Sequence, residues 1–233
     1  MNSLRSCYAV LFILMGFVLP FYPAWAEHAP VKQFVVIDPA HGGTDRGVKL
    51  SDNEYEKDIT LKIALLMQKE LQAMGNVRIR LTRTTDQNVS LPERVKVTPT
   101  SGTGIFVSLH VNAAFGKEAA GYEVYFPGFS AAPSGQNTAA VILKDMATNK
   151  SLNESVALSQ SILQNLQIVF PGKDRQLRNA PVLILEGLAV PAVAVEIGFA
   201  TNRVDKKTLI DERGKKNIAQ ALSRGIKDFL RRN

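Results

Sequence analysis

The distribution of hydrophobic positions along the chain alternates between two periods. Short apolar runs rich in β-branched residues indicate buried strands, and stretches with a period near 3.6 residues indicate helices. The pattern predicts strands at residues 33–38, 77–82, 105–111 and 121–126, with further apolar runs at 182–185 and 192–197. It predicts helices at 56–74, 153–167 and 215–230. A shorter helix should start near Ser90, a candidate N-cap with Glu93 three residues on.

The order of these elements indicates an α/β fold. Several predicted strands are apolar on both faces, which is typical of parallel sheets covered on both sides. We therefore expect a single three-layer domain, with a mostly parallel, twisted sheet and helices on both faces. The segment 127–152 differs in composition, because it begins with Gly, Pro and Ser and has a helical pattern only over a short stretch around 141–146. Connections of this length in compact domains are usually functional.

The first 26 residues have the layout of a secretory signal peptide. Arg5 precedes an apolar stretch at 8–19, and Ala24-Trp25-Ala26 forms an A-x-A cleavage signature. The alternative is an uncleaved anchor, but Pro20 and Pro23 would break a spanning helix near its end. The sequence therefore predicts an exported chain, with residues 27–233 forming the folded domain and no stable membrane span after cleavage.

Composition restricts the chemistry of this domain. The single cysteine, Cys7, lies in the predicted signal peptide, so any metal must be held by histidine and carboxylate. Removing Arg5 from the 28 lysines and arginines leaves 27 against 21 acidic residues, a formal charge of +6. That charge favours anionic polymers such as cell wall, lipid headgroups or nucleic acid. No compact basic run with interleaved aromatics is present, which disfavours nucleic acid.

Two of the three histidines stand at candidate functional positions. His28 follows the predicted cleavage point closely and is discounted. His41 and His110 lie at or near the carboxyl ends of predicted strands, where parallel α/β sheets bind ligands. A lone histidine there would be read as a core residue, but the two together indicate a zinc site that needs a carboxylate as third ligand. The candidates are Asp45, Glu54, Glu56, Asp58 and Glu196.

These acids differ in what the sequence around them explains. Glu54, Glu56 and Asp58 lie at the start of a predicted helix, where negative charge is favourable in any case, so the pattern leaves them undecided. Glu196 directly follows a buried apolar run, where an acid is costly unless it is paired or functional. Because burial raises the pKa of a carboxyl group toward neutrality, Glu196 is a candidate general base.

Four segments in order resemble a known family: "VVIDPAHGGTDRGV", "EKDITLKIA", "FVSLHVNAA" and "PAVAVEIGFATN". They are similar to the zinc-dependent N-acetylmuramoyl-L-alanine amidases of the bacterial cell wall, typified by the division amidases, and span 35–202. The resemblance implies that His41, Glu56 and His110 are Zn²⁺ ligands and that Glu196 is the catalytic base. It also matches scaffold or groove residues at Arg83, Asp86, Leu91 and Arg94.

The resemblance implies hydrolysis of the amide between N-acetylmuramic acid and L-alanine in peptidoglycan. Two positions depart from the family pattern: Ala40 stands where Gly is usual, which predicts an ordinary negative φ, and Arg46 stands where Pro is frequent. The 127–152 segment resembles in position the regulatory segment of division amidases, which implies an activator protein and favours the periplasm over the exterior. In a closed state Asp145 or Glu154 would contact the metal; a plain surface loop is the alternative.

Two other functions are compatible with the same residues. One is another zinc hydrolase of the cell wall, such as a carboxypeptidase or deacetylase, with similar metal and base chemistry. The other is a non-catalytic peptidoglycan-binding protein on an amidase fold. The presence of every ligand and of the base disfavours the second, and analysis of the products would distinguish the first.

Overall fold

A computed structural model describes residues 33–99, 104–128, 139–173 and 175–232 of the chain. Six strands form one sheet: β1 (Gln33–Pro39), β2 (Val77–Leu81), β3 (Gly104–Asn112), β4 (Tyr122–Pro127), β5 (Arg175–Ala180) and β6 (Ala192–Phe199). Five α-helices accompany them: α1 (Glu56–Gln72), α2 (Leu91–Lys96), α3 (Ala139–Leu166), α4 (Arg203–Ile210) and α5 (Glu212–Arg232).

The sheet is mostly parallel, as the sequence predicts. Its strand order is β2-β1-β3-β6-β4-β5, and only the β6–β4 pair is antiparallel. The carboxyl ends of β1, β3 and β6 therefore lie together at one edge of the sheet. Because β4 runs the opposite way, its first residues lie at that same edge.

The two faces of the sheet are covered unequally. The larger core lies under α1, α3 and α5 and includes Ile63, Leu158 and Leu222, which are fully buried. The opposite face carries a smaller cluster in which Phe106 packs with Leu185 of a 3-10 turn at Leu183–Leu185 and with Val95 of α2. The layered arrangement confirms the α/β prediction, although one outer layer consists of a short helix and a turn.

Several predicted elements differ from the structure. The apolar run at 182–185 contains a 3-10 turn, and its residues Ile184 and Leu185 are buried in the smaller cluster. β5 was not predicted, since its sequence RQLRNA lacks an apolar alternation, and α4 was not predicted either. The helix predicted at 153–167 begins at Ala139, so much of the 127–152 segment is helical. Within that segment, residues 129–138 lie outside the described part of the chain.

The capping prediction at Ser90 is confirmed, because the Ser90 amide donates to Glu93 Oε2 at 2.8 Å. The predicted signal peptide and His28 fall within 1–32, which lies outside the described residues. Among the helices of the described ranges, none is both long and apolar enough to cross a membrane.

Candidate active site

Strand register brings two of the predicted site residues side by side. His110 of β3 is directly paired with Glu196 of β6, close to the carboxyl ends of both strands. His41 follows β1 at the same edge, and its ring lies edge-on to that of His110 with 5.9 Å between centroids. The expectation that strand ends gather these side chains is met by the topology.

Glu56 lies between the two histidines. Its Oε1 is 3.1 Å from His41 Nε2 and 3.5 Å from His110 Nδ1, and one ligand atom from each of the three residues lies within 4.8 Å of the others. Two imidazole nitrogens and one carboxylate oxygen form a donor set that Zn²⁺ accepts, with a further coordination position left for water or substrate. The residues present therefore fit a zinc ion.

The backbone around Glu56 fixes its carboxylate at this point. Glu56 is the first residue of α1 and is only 2% exposed. Its Oε1 accepts from the Val111 amide at 2.9 Å, and its Oε2 accepts from the Val48 amide at 3.0 Å. Burial alone would raise the pKa of Glu56, but hydrogen bonds from the histidines and from Val48 lower that pKa to about 2. The group is therefore held as a carboxylate.

The loop after β1 adopts an unusual backbone conformation at His41. His41 has φ of 61°, the only positive φ of a non-glycine residue in the described ranges, so Ala40 keeps the negative φ predicted for it. A left-handed conformation at such a residue persists only where its surroundings hold it. Only glycine fits at position 47, because a Cβ there would lie 2.6 Å from Glu56 Oε2 and 2.7 Å from His41 Cδ2.

The second nitrogen of each histidine also has a partner. His41 Nδ1 lies 2.8 Å from Asp45 Oδ2, so the candidate Asp45 contacts the outer ring nitrogen of His41 and is not one of the three clustered donors. His110 Nε2 lies 3.1 Å from Ser108 Oγ, which in turn donates to Asp38 Oδ2 at 2.7 Å. Such contacts fix the ring orientation and tautomer of metal-binding histidines.

The remaining acidic candidates have structural partners. Glu54 Oε1 accepts from Lys215 Nζ at 2.7 Å, and Asp58 Oδ2 accepts from the Tyr55 amide at 3.0 Å at the start of α1. Of the three acids among which the local sequence pattern left the choice open, only Glu56 lies in the cluster with His41 and His110.

Glu196 differs from Glu56 in its surroundings. Its Oε2 is buried and accepts no hydrogen bond from the described part of the chain. Burial raises the pKa of Glu196 to about 7, with the nearby Glu56 and Glu123 adding to the rise and His110 opposing it. A carboxyl group with a pKa near neutrality can both take and return a proton.

Two buried arginines support the loop that carries His41. Arg94 donates to Asp38 Oδ1 at 2.7 Å and to the carbonyl oxygen of His41 at 2.7 Å. Arg83 donates to the carbonyl oxygens of Pro39 at 3.0 Å and Ala40 at 2.8 Å. The scaffold prediction is correct for both residues.

Of the other two predicted scaffold or groove residues, Asp86 also holds this loop. It accepts from the Gly43 amide at 2.7 Å and from Lys57 Nζ at 2.6 Å. Leu91 is 41% exposed at the start of α2 and lies by an open groove with Leu183 and Val95, apart from the His41 loop.

Sequence reasoning missed a polar cluster next to Glu196. Glu123 of β4 is paired directly with Glu196 and is 7% exposed. Its carboxylate accepts from Asn112 Nδ2, Tyr125 OH and the Arg178 guanidinium at 2.7–3.1 Å. We call these four residues the Glu123 cluster. A buried acid in the predicted strand at 121–126 was the one available signal, but its partner lies on β5, which the pattern did not reveal.

The hypothesis that Asp145 or Glu154 contacts the metal in a closed state stays untested. Glu154 pairs with Lys150 at 3.8 Å, one helical turn away on α3. The side chain of Asp145 lies outside the described part of the structure.

A donor set that can hold a metal ion, beside a carboxylate with one buried oxygen that accepts no hydrogen bond in the described chain, is typical of metal-dependent hydrolases. The model of the family described as N-acetylmuramoyl-L-alanine amidase matches residues 35–228. The chain belongs to this family of enzymes.

Individual relatives agree with this assignment. The amidase AmiA of Escherichia coli is 28% identical over 228 residues, covering 88% of this chain and 78% of AmiA. The amidase CwlM of Bacillus licheniformis is 30% identical over 194 residues, covering 82% of this chain and 66% of CwlM. The solved catalytic domain of the amidase CwlV from Bacillus (Paenibacillus) polymyxa superposes with a TM-score of 0.70 at 27% identity, covering 85% of this chain and 98% of that domain.

Proposed function

We propose that His41, Glu56 and His110 hold Zn²⁺ and that Glu196 is the catalytic base in hydrolysis of the amide joining N-acetylmuramic acid to L-alanine. The observation that carries this assignment is the orphaned Oε2 of Glu196 beside the three-residue donor set. A buried acceptor left without a donor is costly for folding, so a functional reason for keeping it is expected.

The proposed reaction follows from the protonation of these groups. Zinc, when bound, supplies Lewis acidity that lowers the pKa of water toward ~7 and polarises the scissile carbonyl. Glu196 takes a proton from the attacking water, whose oxygen forms a bond to the lactyl carbonyl carbon. The protonated Glu196 then gives its proton to the nitrogen of L-alanine as the carbon–nitrogen bond breaks. Asp45 and Ser108 keep the two histidine rings oriented throughout.

Export and regulation are part of the same proposal. The predicted signal peptide at 1–26 supports an exported enzyme, and periplasm remains our favoured location over the exterior. The exposure of residues 146–150 in α3 supports a role for the 127–152 segment as the contact point of an activator. Shortening that segment should raise the basal activity if it restrains the enzyme, and should leave the activity unchanged if it is a surface element.

The direct test is product analysis. Purified protein should release peptides with a free L-alanine amino terminus from peptidoglycan when zinc is present, and chelation should stop the release. Free D-alanine would instead indicate a carboxypeptidase, and acetate a deacetylase. Wall binding without any product, also after the 127–152 segment is shortened, would indicate a binding protein and contradict the proposed reaction.

A further inference from the structure

A cavity of about 480 Å³ lies on the β4–β5 side of the sheet edge, and one of its walls is Glu123, the strand partner of the proposed base Glu196. Its walls include Asn112, Glu123 and Arg178 of the Glu123 cluster, together with Lys173 and Gln176. Paired residues of neighbouring strands project to the same face, so Glu196, Glu123 and Gln176 lie in a row across β6, β4 and β5. The cavity is therefore one strand away from Glu196 along this row.

Glu123 holds the Arg178 guanidinium in place in this cavity, but their pairing does not use all of its N–H donors. Its Nε and Nη2 donate to Glu123 Oε1 at 3.0 and 2.8 Å. Arginine carries five N–H donors, so three are left over among the described contacts. The side chain is 46% exposed while that of Glu123 is 9% exposed. Glu123 thus fixes the Nε and Nη2 side of the guanidinium, and the rest of the group is partly exposed.

The chemistry of the substrate restricts what these donors can bind. The only carboxyl group of N-acetylmuramic acid is the lactyl group, and it is already used in the scissile amide. The glycan side of the bond therefore offers no carboxylate, whereas the peptide side carries carboxylates beyond L-alanine. A fixed guanidinium with free donors matches a carboxylate better than any other group of this polymer.

The spacing agrees with a carboxylate on the second peptide residue. Neighbouring strands lie about 4.8 Å apart, which puts Arg178, bonded to Glu123, one to two strand spacings from Glu196, or about 5–10 Å. An extended chain advances about 3.3–3.6 Å per residue, so a carboxylate on the residue after L-alanine falls in this range.

We propose that Arg178, held by Glu123, is a binding residue for the free carboxylate of the second peptide residue on the leaving side of the scissile bond. This inference rests on the proposed amidase function and adds substrate specificity to it. The cavity beside Asn112 then receives the peptide.

The test compares two soluble substrates that differ at one group: N-acetylmuramoyl-L-alanyl-D-glutamate, and the same molecule with its free α-carboxylate converted to an amide. The wild-type protein should cleave the free acid with a kcat/KM roughly 10- to 100-fold higher, as expected for one charge-assisted hydrogen-bond pair. Arg178→Gln should reduce this ratio to within about twofold, mainly by raising KM for the free acid. Arg178→Lys, which keeps the charge and loses the fork, should give an intermediate ratio.

The matched control is Arg224→Gln, which removes an exposed arginine of α5 and should keep the wild-type ratio. The inference is overturned if the wild-type protein does not discriminate, or if Arg178→Gln slows both substrates equally. If neither substrate is cleaved, calorimetric binding of the same two molecules decides the matter separately from the amidase reaction. Tighter binding of the free acid that Arg178→Gln abolishes supports the subsite, and equal binding contradicts it.

Discussion

Glu56 and Glu196 are two glutamates at one edge of the sheet, Glu56 buried and Glu196 only partly buried, and their surroundings are opposite. Glu56 accepts two backbone amides and lies against two histidines, and its pKa is lowered to about 2. Glu196 has an oxygen without any donor in the described chain, and its pKa is raised to about 7. Donors, rather than burial, make the difference, since burial by itself raises the pKa of both groups.

This contrast in pKa suits the two glutamates to different roles in the proposed reaction. A carboxylate with a very low pKa stays charged and suits a metal ligand, whereas one near neutrality suits proton transfer. The same residue type thus serves two purposes. Glu56, at the start of α1, accepts backbone amides, whereas Oε2 of Glu196 on β6 accepts no hydrogen bond in the described chain.

The largest expected effect comes from Glu196→Gln. The amide keeps the shape of the side chain but cannot accept a proton from water, so kcat should fall by roughly 10²–10⁴-fold. Release of peptides from peptidoglycan, followed by mass spectrometry, measures this. Glu186→Gln, an exposed glutamate after the 3-10 turn, should keep wild-type turnover. Near wild-type cleavage by Glu196→Gln would remove the base from the account.

A smaller effect is expected from the residues that orient the histidines. Asp45→Ala and Ser108→Ala each leave one ring nitrogen without its partner, and each should weaken zinc affinity by roughly 10–100-fold. Competition with a chromophoric chelator gives these affinities. Asp52→Ala is the matched control, because Asp52 is almost fully exposed and contacts only Lys49 in the described structure. Unchanged zinc affinity in both test variants would contradict the orienting role.

The smallest expected effect is on the stability of the metal-free protein. Burial raises the pKa of Glu196 from 4.5 to about 7 in the folded state, so the folded protein binds the proton more tightly than the unfolded chain. The wild-type protein should therefore lose stability relative to Glu196→Gln as pH rises from about 4.5 to 7, by about 1–3 kcal/mol in total. Below pH 4.5 the two should differ little from this cause. Urea unfolding at pH 4, 6 and 8 measures the free energy of unfolding of both proteins. A difference between them that does not change with pH would contradict the raised pKa of Glu196.

The sequence predicted the residues whose positions depend on local pattern and strand ends. His41, His110 and Glu196 each follow an apolar run, and a parallel sheet gathers such ends at one edge. The choice of Glu56 over Glu54 and Asp58 came from the family resemblance. Local pattern could not make that choice, because it depends on Val48 and Val111, which reach Glu56 only in the folded chain.

The missed features have two different causes. Glu123 and Arg178 are 55 residues apart, and β5 has charged residues where a predictable strand has apolar ones, so long-range pairing alone creates the cluster. The helix α4 did carry a local signal, since Asn202 caps it by accepting the amides of Val204 and Asp205. Attention to that cap would have found the helix.

The contrast between Glu56 and Glu196 is tested most directly by measuring the zinc content of Glu56→Gln and Glu196→Gln, purified in parallel with the wild-type protein. The account predicts about one zinc per chain in the wild-type protein and in Glu196→Gln, and little or none in Glu56→Gln, although both variants are inactive. Loss of zinc from Glu196→Gln, or its full retention by Glu56→Gln, would contradict the division between ligand and base.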